Sequence, residues 1–247
     1  MRDCKTWVPS KFVRRNGRLK ASRDSSEVAV GSRMISDVIA RYYDENLKLH
    51  AKGRLLDLGC GKIPLFDAYR RYVTDSVCVD WENTEHKNDH LDFEADLTKE
   101  LPFSDGDFDT ILLSDVLEHI PEPERLCKEI ARVLTPTGKL LMNVPFYYWI
   151  HEQPHDYYRY TEFALRRLME HSGMQVLQLE PIGGVPEIMA DIFAKNVVHV
   201  PVAGNAIAML SQWATSAIMR TSVGRRLSAG TMHAFPLGYF LVAEKRD

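Results

Sequence analysis

Asp57 stands just before the glycine turn Gly59-Cys60-Gly61, and Asp80 follows 19 residues after Gly61, closing the apolar run Ser76-Val77-Cys78-Val79. A strand that feeds a Gly-x-Gly turn and then a helix lets a ligand approach the backbone, because glycine carries no side chain to block it. The helix start adds unpaired N–H groups that favour an anion. A carboxylate at the end of the next strand can accept both hydroxyls of a ribose, which points to an adenosine-type ligand. Position 64 is Pro64, where the third glycine of a dinucleotide fingerprint would stand, so a pyrophosphate cofactor is disfavoured. Asp57 suits a ligand with a positive amino group better than a diphosphate. Without Asp80, the same residues would make only a tight strand-to-helix turn.

A second set of residues could move a proton. His119 comes just past the apolar run at 108–114, and His151, His155 and Asp156 lie in a polar, aromatic stretch at 145–160. The candidate bases are His119, His155 and Asp156, with His151 a further candidate. The i, i+4 spacing of His151 and His155 would suit a metal-binding helix, but Pro154 between them argues for a loop, and no metal is expected. Tyr157, Tyr158, Arg159 and Tyr160 could line a pocket for a sugar or an anion.

The elements that must hold these groups alternate. Strand signals at 54–58, 76–80, 91–94, 108–114, 139–144 and 175–180 alternate with helical ones at 27–50, 64–72, 122–134 and 161–171, as βαβ units do. Thr161 is a candidate helix cap and Gly173 a stop. A strand at 235–244 closes the chain. Residues 183–233, rich in small apolar residues, read as a helical insertion before it. The expected organisation is a basic N-terminal arm over 1–26 and one α/β domain over 27–247.

Composition is that of an ordinary globular protein: 247 residues, 45% hydrophobic, 26% charged, net charge −3. That balance gives no overall pull toward nucleic acid or anionic lipid. The charge is uneven, since Arg2, Lys5, Lys11, Arg14, Arg15, Arg18, Lys20 and Arg23 face Asp3 alone. A solvated, frayed arm is expected there, or one that touches an anionic surface. Cys4, Cys60, Cys78 and Cys127 form no Cys-x-x-Cys pair, so thiols in a reducing, cytoplasmic compartment are expected. No secretory signal and no uninterrupted spanning run is seen; Pro201, Gly204, Asn205, Ser211 and Gln212 break up 197–219.

Leu55-Leu56-Asp57-Leu58-Gly59-Cys60-Gly61 resembles the first motif of the Rossmann-like S-adenosylmethionine-dependent methyltransferases. Val77-Cys78-Val79-Asp80-Trp81 resembles their second, and Glu94-Ala95-Asp96-Leu97, Leu101-Pro102-Phe103 and Phe108-Asp109-Thr110-Ile111 their third and fourth. The resemblance spans roughly 50–180 in order and spacing. It implies a seven-stranded, mostly parallel sheet with an antiparallel last strand, and S-adenosyl-L-methionine as cofactor. Gly59, Cys60 and Gly61 would pass under the methionine part, and Asp57 would hold its amino group. Asp80 would take the ribose diol with Trp81 beside the adenine. Asp96 and Leu97 would meet the adenine, and Ser114 would flank the methionine. Asn143-Val144-Pro145-Phe146 and the run from His151 to Thr161 resemble a subgroup associated with bacterial polysaccharide and lipopolysaccharide gene clusters.

The implied activity is methyl transfer, most readily O-methylation of a small or glycan-linked acceptor. Much of such catalysis is alignment of acceptor, methyl and sulfur. A lipophilic acceptor at a membrane surface is the variant suggested by 197–219 and the basic arm. A cofactor-binding regulatory module is the rival from another class. Nucleic acid is not the expected acceptor, because Ser114-Asp115-Val116-Leu117 stands where base-amine methylases carry Asn/Asp-Pro-Pro-aromatic.

Overall fold

The computed structural model describes residues 7–82 and 90–246, so the arm residues Arg2, Asp3, Cys4 and Lys5 lie outside the described residues. The chain begins with a hairpin of β1 (Phe12–Arg15) and β2 (Arg18–Ala21). Its turn is Asn16-Gly17, both at positive φ, as a short hairpin loop requires. The hairpin is docked on the long helix α1 (Arg33–His50) rather than frayed. Phe12, Leu19 and Ala21 are buried there, and Arg14 pairs with Asp44 at 3.0 Å and Arg23 with Asp37 at 2.7 Å. These carboxylates of α1 draw the basic stretch onto the body of the protein.

The main sheet has seven strands. Chain order introduces β3 (Arg54–Leu58), β4 (Asp75–Asp80), β5 (Phe93–Glu94), β6 (Phe108–Ser114), β7 (Leu134–Pro145), β8 (Met174–Ile182) and β9 (Gly238–Lys245). Their spatial order is β5-β4-β3-β6-β7-β9-β8. All neighbours are parallel except β9, which runs antiparallel between β7 and β8. This is the expected α/β class with its antiparallel last strand. The central strands are buried on both faces, so their apolar runs are nearly continuous. Leu56, Leu58, Ile111 and Leu113 point into a core shared with α3 (Pro123–Val133) and α4 (Glu162–His171). Leu55, Leu112 and Leu141 point into the opposite core with α1 and the hairpin. The two-residue period of the strand makes this division.

Several boundaries differ from the sequence reading. The first long helix starts at Arg33, after a 3₁₀ turn over Val30–Ser32, instead of at 27. The helix expected over 64–72 shrinks to α2 (Phe66–Tyr69), because Ile63 adopts φ +50 and delays its start. Thr161 does cap α4, its Oγ1 accepting from Ala164 N–H at 3.3 Å.

Between β8 and β9 come α5 (Val185–Val197), α6 (Gly204–Met219) and α7 (Ser222–Thr231), which form the expected helical insertion. It packs on the start of α1. Gln212 of α6 accepts from Met34 N–H at 2.8 Å and donates to Val30 O at 2.8 Å, satisfying backbone groups at that helix entry. The backbone of Lys195 in α5 lies 3.1 Å from where a Cβ on Gly31 would stand, so the helix packs tightly against the chain there.

Candidate functional site

The glycine turn leaves the carboxyl end of β3 at the centre of the sheet. Gly59 and Cys60 donate their N–H groups to Val79 O at 2.8 and 3.1 Å, which ties the turn to β4. Gly59 has φ +66 and Gly61 φ +48. A Cβ on Gly59 would stand 2.5 Å from Val116 Cγ2, so glycine is needed there for both conformation and space. Asp80, 8% exposed, accepts from Gly61 N–H at Oδ2 (2.9 Å) and from Trp81 N–H at Oδ1 (2.8 Å). A carboxylate oxygen can accept more than one donor, so these bonds are compatible with a ligand hydroxyl. Asp57 is buried at the end of β3 beside the turn. Two buried carboxylates flanking a bare backbone turn fit a ligand with a diol and a cationic amino group.

The other expected cofactor residues are placed as follows. Trp81 is exposed, and its ring meets that of His155 edge-on at 5.3 Å. Asp96 turns its carboxylate onto its own loop: Oδ1 accepts from Thr98 N–H (2.9 Å) and Oγ1–H (2.7 Å), and Lys99 Nζ lies 3.1 Å from Oδ2. The Thr98 hydrogen bonds hold its carboxyl below the usual range. Leu97 is buried in the core. Ser114, at the end of β6, donates to Asn143 Oδ1 at 2.9 Å. Cys60 is an inert thiol, pushed up by Cys78 and by burial.

Beyond the ends of β6 and β7 lies a cavity of about 450 Å³, within the size range of small-ligand sites. Ile35 and Ile39 of α1, Val144, Ile182 and Leu237 give it an apolar wall; Lys11, Asp115, Glu118, Tyr148 and His151 give it polar ground. A buried network sets its floor. Asn143 Oδ1 accepts from Tyr43 Oη at 2.7 Å and from Ser114, its Nδ2 donates to Asp115 Oδ1, and Lys11 Nζ bonds Asp115 Oδ2 at 2.9 Å. Asp115 sits at φ +53, a conformation this network holds in place. Sequence patterning assigns Lys11, Tyr43 and Asn143 no site role. The Asn-Val-Pro-Phe run is the one signal that marks Asn143; Lys11 has none.

The candidate bases converge only in part. The turn after β6 forms a 3₁₀ segment, Leu117–His119, and the loop at 145–160 folds onto it. Glu118 O accepts from Tyr157 N–H at 2.9 Å, and Tyr160 Oη donates to Leu117 O at 3.1 Å. His119 Nδ1 donates to His155 O at 3.0 Å, which leaves Nε2 as the free lone pair. Its ring meets that of His151 at 4.7 Å. Asp156 is held by both terminal nitrogens of Arg159 and by His151 N–H at 3.0 Å. The Arg159 pairing holds its carboxyl far below the usual range, so it orients the loop and is a poor proton acceptor. Of the two loop histidines it is His151, not the adjacent His155, that faces Asp156. His151 Nδ1 is the ring atom near Asp156, at 3.3 Å, while His155 Nδ1 lies 3.2 Å from Tyr157 Oη. The trio His151, His155 and Asp156 therefore does not share one ligand position.

Glu118 is a further site residue that sequence patterning passes over. It is 0% exposed, and neither carboxylate oxygen has a hydrogen-bond partner. Burial first, and the Asp115 charge second, push its carboxyl well up. A glutamate next to a histidine at the exit of a buried strand is the signal that could have found it.

Residues 56–142 match the family described as a methyltransferase domain. Among curated relatives, the 27-O-demethylrifamycin SV methyltransferase of Amycolatopsis mediterranei is 32% identical over 110 residues, covering 39% of this chain and 40% of that protein. The ubiquinone biosynthesis O-methyltransferase of Coxiella burnetii is 26% identical over 119 residues, covering 44% and 50%. The chain thus spans half or less of the length of these relatives. Among solved structures, the [4+2]-cyclase SpnF superposes with a TM-score of 0.56 at 17% identity, over 97% of this chain and 87% of that one. That likeness establishes the fold, and one fold hosts several chemistries.

Proposed function

We propose that this chain is an S-adenosylmethionine-dependent methyltransferase acting on a hydroxyl of a small or glycan-linked acceptor. The observation that carries the reading is the unit formed by Gly59, Gly61 and Asp80, with buried Asp57 beside it, inside the stretch that matches a methyltransferase domain. The relatives named above are O-methyltransferases by name or by the position they methylate, which favours oxygen. When bound, the cofactor supplies a methyl group on a positively charged sulfur. The chain's own work is to place the acceptor. Gly59 and Gly61 give close approach to the backbone, Asp80 holds the diol, and Asp57 the amino group. The cavity past Ser114 and Asp115 receives the acceptor, with Ile35, Ile39 and Leu237 excluding water from one side. His151, on its lining, is the histidine placed to accept a hydroxyl proton. Calorimetry with S-adenosylmethionine and S-adenosylhomocysteine tests the reading: binding by both is expected, and binding by neither sinks it. Formation of S-adenosylhomocysteine with free and lipid-linked sugars would sort the acceptors.

A second reading concerns where the acceptor is met. Met189, Phe193, Leu210, Trp213, Val223 and Leu227 on α5–α7 are exposed, with Arg220, Arg225 and Arg226 exposed among them. Exposed apolar side chains on helices that also carry exposed cations favour the headgroup region of an anionic bilayer. No helix among the described residues is long and apolar enough to cross a membrane. Sedimentation with anionic and neutral vesicles checks it; no binding to either excludes this reading and leaves the first untouched.

A further inference from the structure

The Glu118 carboxylate, His119 and His151 lie where two loops meet at the carboxyl edge of the sheet. His119 Nε2 is 3.9 Å from Glu118 Oε1, and His151 Nε2 is 4.0 Å from the same oxygen. One ligand atom from each residue falls within 4.8 Å of the others. Three features separate this trio from an ordinary polar cluster. Glu118 is fully buried, yet both its oxygens lack a hydrogen-bond partner, which is costly in a folded protein unless something else binds them. His119 Nε2 is likewise buried and unpartnered. The His119 ring is also oriented from behind, its Nδ1 donating to His155 O at 3.0 Å, and Asp156 Oδ2, which Arg159 holds, stands 3.3 Å from His151 Nδ1 without a hydrogen bond between them. Carbonyl and carboxylate partners behind imidazoles are the usual outer support of metal-ligating histidines.

The geometry points to a binding site for a divalent first-row transition cation, held by Glu118, His119 and His151, with its open position facing the 450 Å³ cavity that Glu118 and His151 line. Two imidazoles and one carboxylate with positions left open are a known donor set for zinc and for iron, and two nitrogen donors disfavour magnesium. Neighbouring ligands of a cation bound at about 2.1 Å stand about 3.4 Å apart in a tetrahedral site and about 3.0 Å apart in an octahedral one. The trio must therefore close by roughly 1 Å. Glu152, exposed, with Oε2 3.9 Å from His119 Nε2, stands at the rim as a further oxygen donor.

The binding site itself does not depend on the methyl-transfer reading, whereas its role does. On that reading, with both imidazoles ligating the cation and so no longer available as proton acceptors, the cation would take the acceptor's hydroxyl and lower its pKa. The hydroxyl proton leaves to solvent, and the oxygen forms a bond to the methyl carbon. The electron pair of the broken carbon–sulfur bond returns to sulfur, leaving a neutral thioether. Val116, two residues before Glu118, is the side chain that would meet a Cβ on Gly59, so the segment that carries Glu118 and His119 starts out from the cofactor turn.

The test uses the full chain stripped with chelator and titrated with Zn²⁺, and with Co²⁺ for its visible spectrum. One cation per chain and a low-symmetry Co²⁺ spectrum are expected. Glu118→Gln, His119→Ala and His151→Ala should each weaken binding by more than the roughly 10–100-fold typical of losing an outer partner. His155→Ala, which keeps the carbonyl behind His119, should bind within a few-fold of the parent. S-adenosylhomocysteine affinity, measured on the same samples, reports folding and the cofactor reading separately. Failure of the folded parent to bind either cation overturns the site, as does a Glu118→Gln or His151→Ala variant that binds as the parent does. Cation binding without S-adenosylhomocysteine binding would keep the site and remove its proposed role.

Discussion

The backbone N–H of Gly61 donates to Asp80 Oδ2 at 2.9 Å, so the turn after β3 and the carboxylate ending β4 form one unit. Asp80 thus both shapes the turn and can present its carboxylate to a ligand. Asp80→Ala should weaken S-adenosylhomocysteine binding by about 1–3 kcal/mol, the cost of losing a charged hydrogen-bond acceptor. Calorimetry on a variant shown to be folded is the measurement, and an unchanged affinity would refute the ribose assignment.

Gly59→Ala combines two penalties. A φ of +66 costs a residue with a Cβ about 1–2 kcal/mol, and that Cβ would press on Val116 Cγ2. The variant should lower thermal stability and cofactor affinity together. Adding Val116→Ala removes the contact and leaves the conformational penalty, so part of the loss should return. No recovery in the double variant would show that the clash does not matter.

Asp191 and Lys195 form a buried ion pair one turn apart on α5, at 2.7 Å, and Lys195 Nζ stands 3.6 Å from the centre of the Tyr148 ring. Burial pushes the Asp191 carboxyl up and the Lys195 amine down, so neither charge is at ease without the other. Lys195→Met alone should cost about 3–5 kcal/mol in urea unfolding, because it strands a buried carboxylate. The double change Asp191→Leu with Lys195→Met should cost much less. Equal losses in the single and double variants would contradict this account.

Glu129 accepts from Arg132 Nε at 3.0 Å and from Leu101 N–H at 2.9 Å. The Arg132 hydrogen bonds hold its carboxyl below the ordinary value. A carboxyl with a depressed folded-state pKa contributes stability above its unfolded value, about 4.3, and loses that contribution as pH falls through the folded value. Glu129→Gln should therefore be less stable than the parent at neutral pH. The gap should shrink steadily toward about pH 2 in a series of denaturation curves. A gap independent of pH would assign the effect to packing.

Much of this protein is legible in its amino-acid sequence alone. The period-two apolar runs, the Gly59–Gly61 turn and the 19-residue spacing to Asp80 each follow from local sterics and from how one strand hands the chain to the next. Thr161 announces its helix for the same local reason. Other features depend on partners far along the chain, which no local pattern records. Lys11 reaches Asp115 across 104 positions, and that contact, with the acids of α1, docks a basic stretch that reads as a free arm. Pro154 correctly marks a loop, yet the fold brings His151 of that loop against Glu118 and His119 of another. Sequence spacing can pair residues only within one element. Loops at one sheet edge are brought together by strand order, with β7 beside β6, and that order comes from the packing of the whole core.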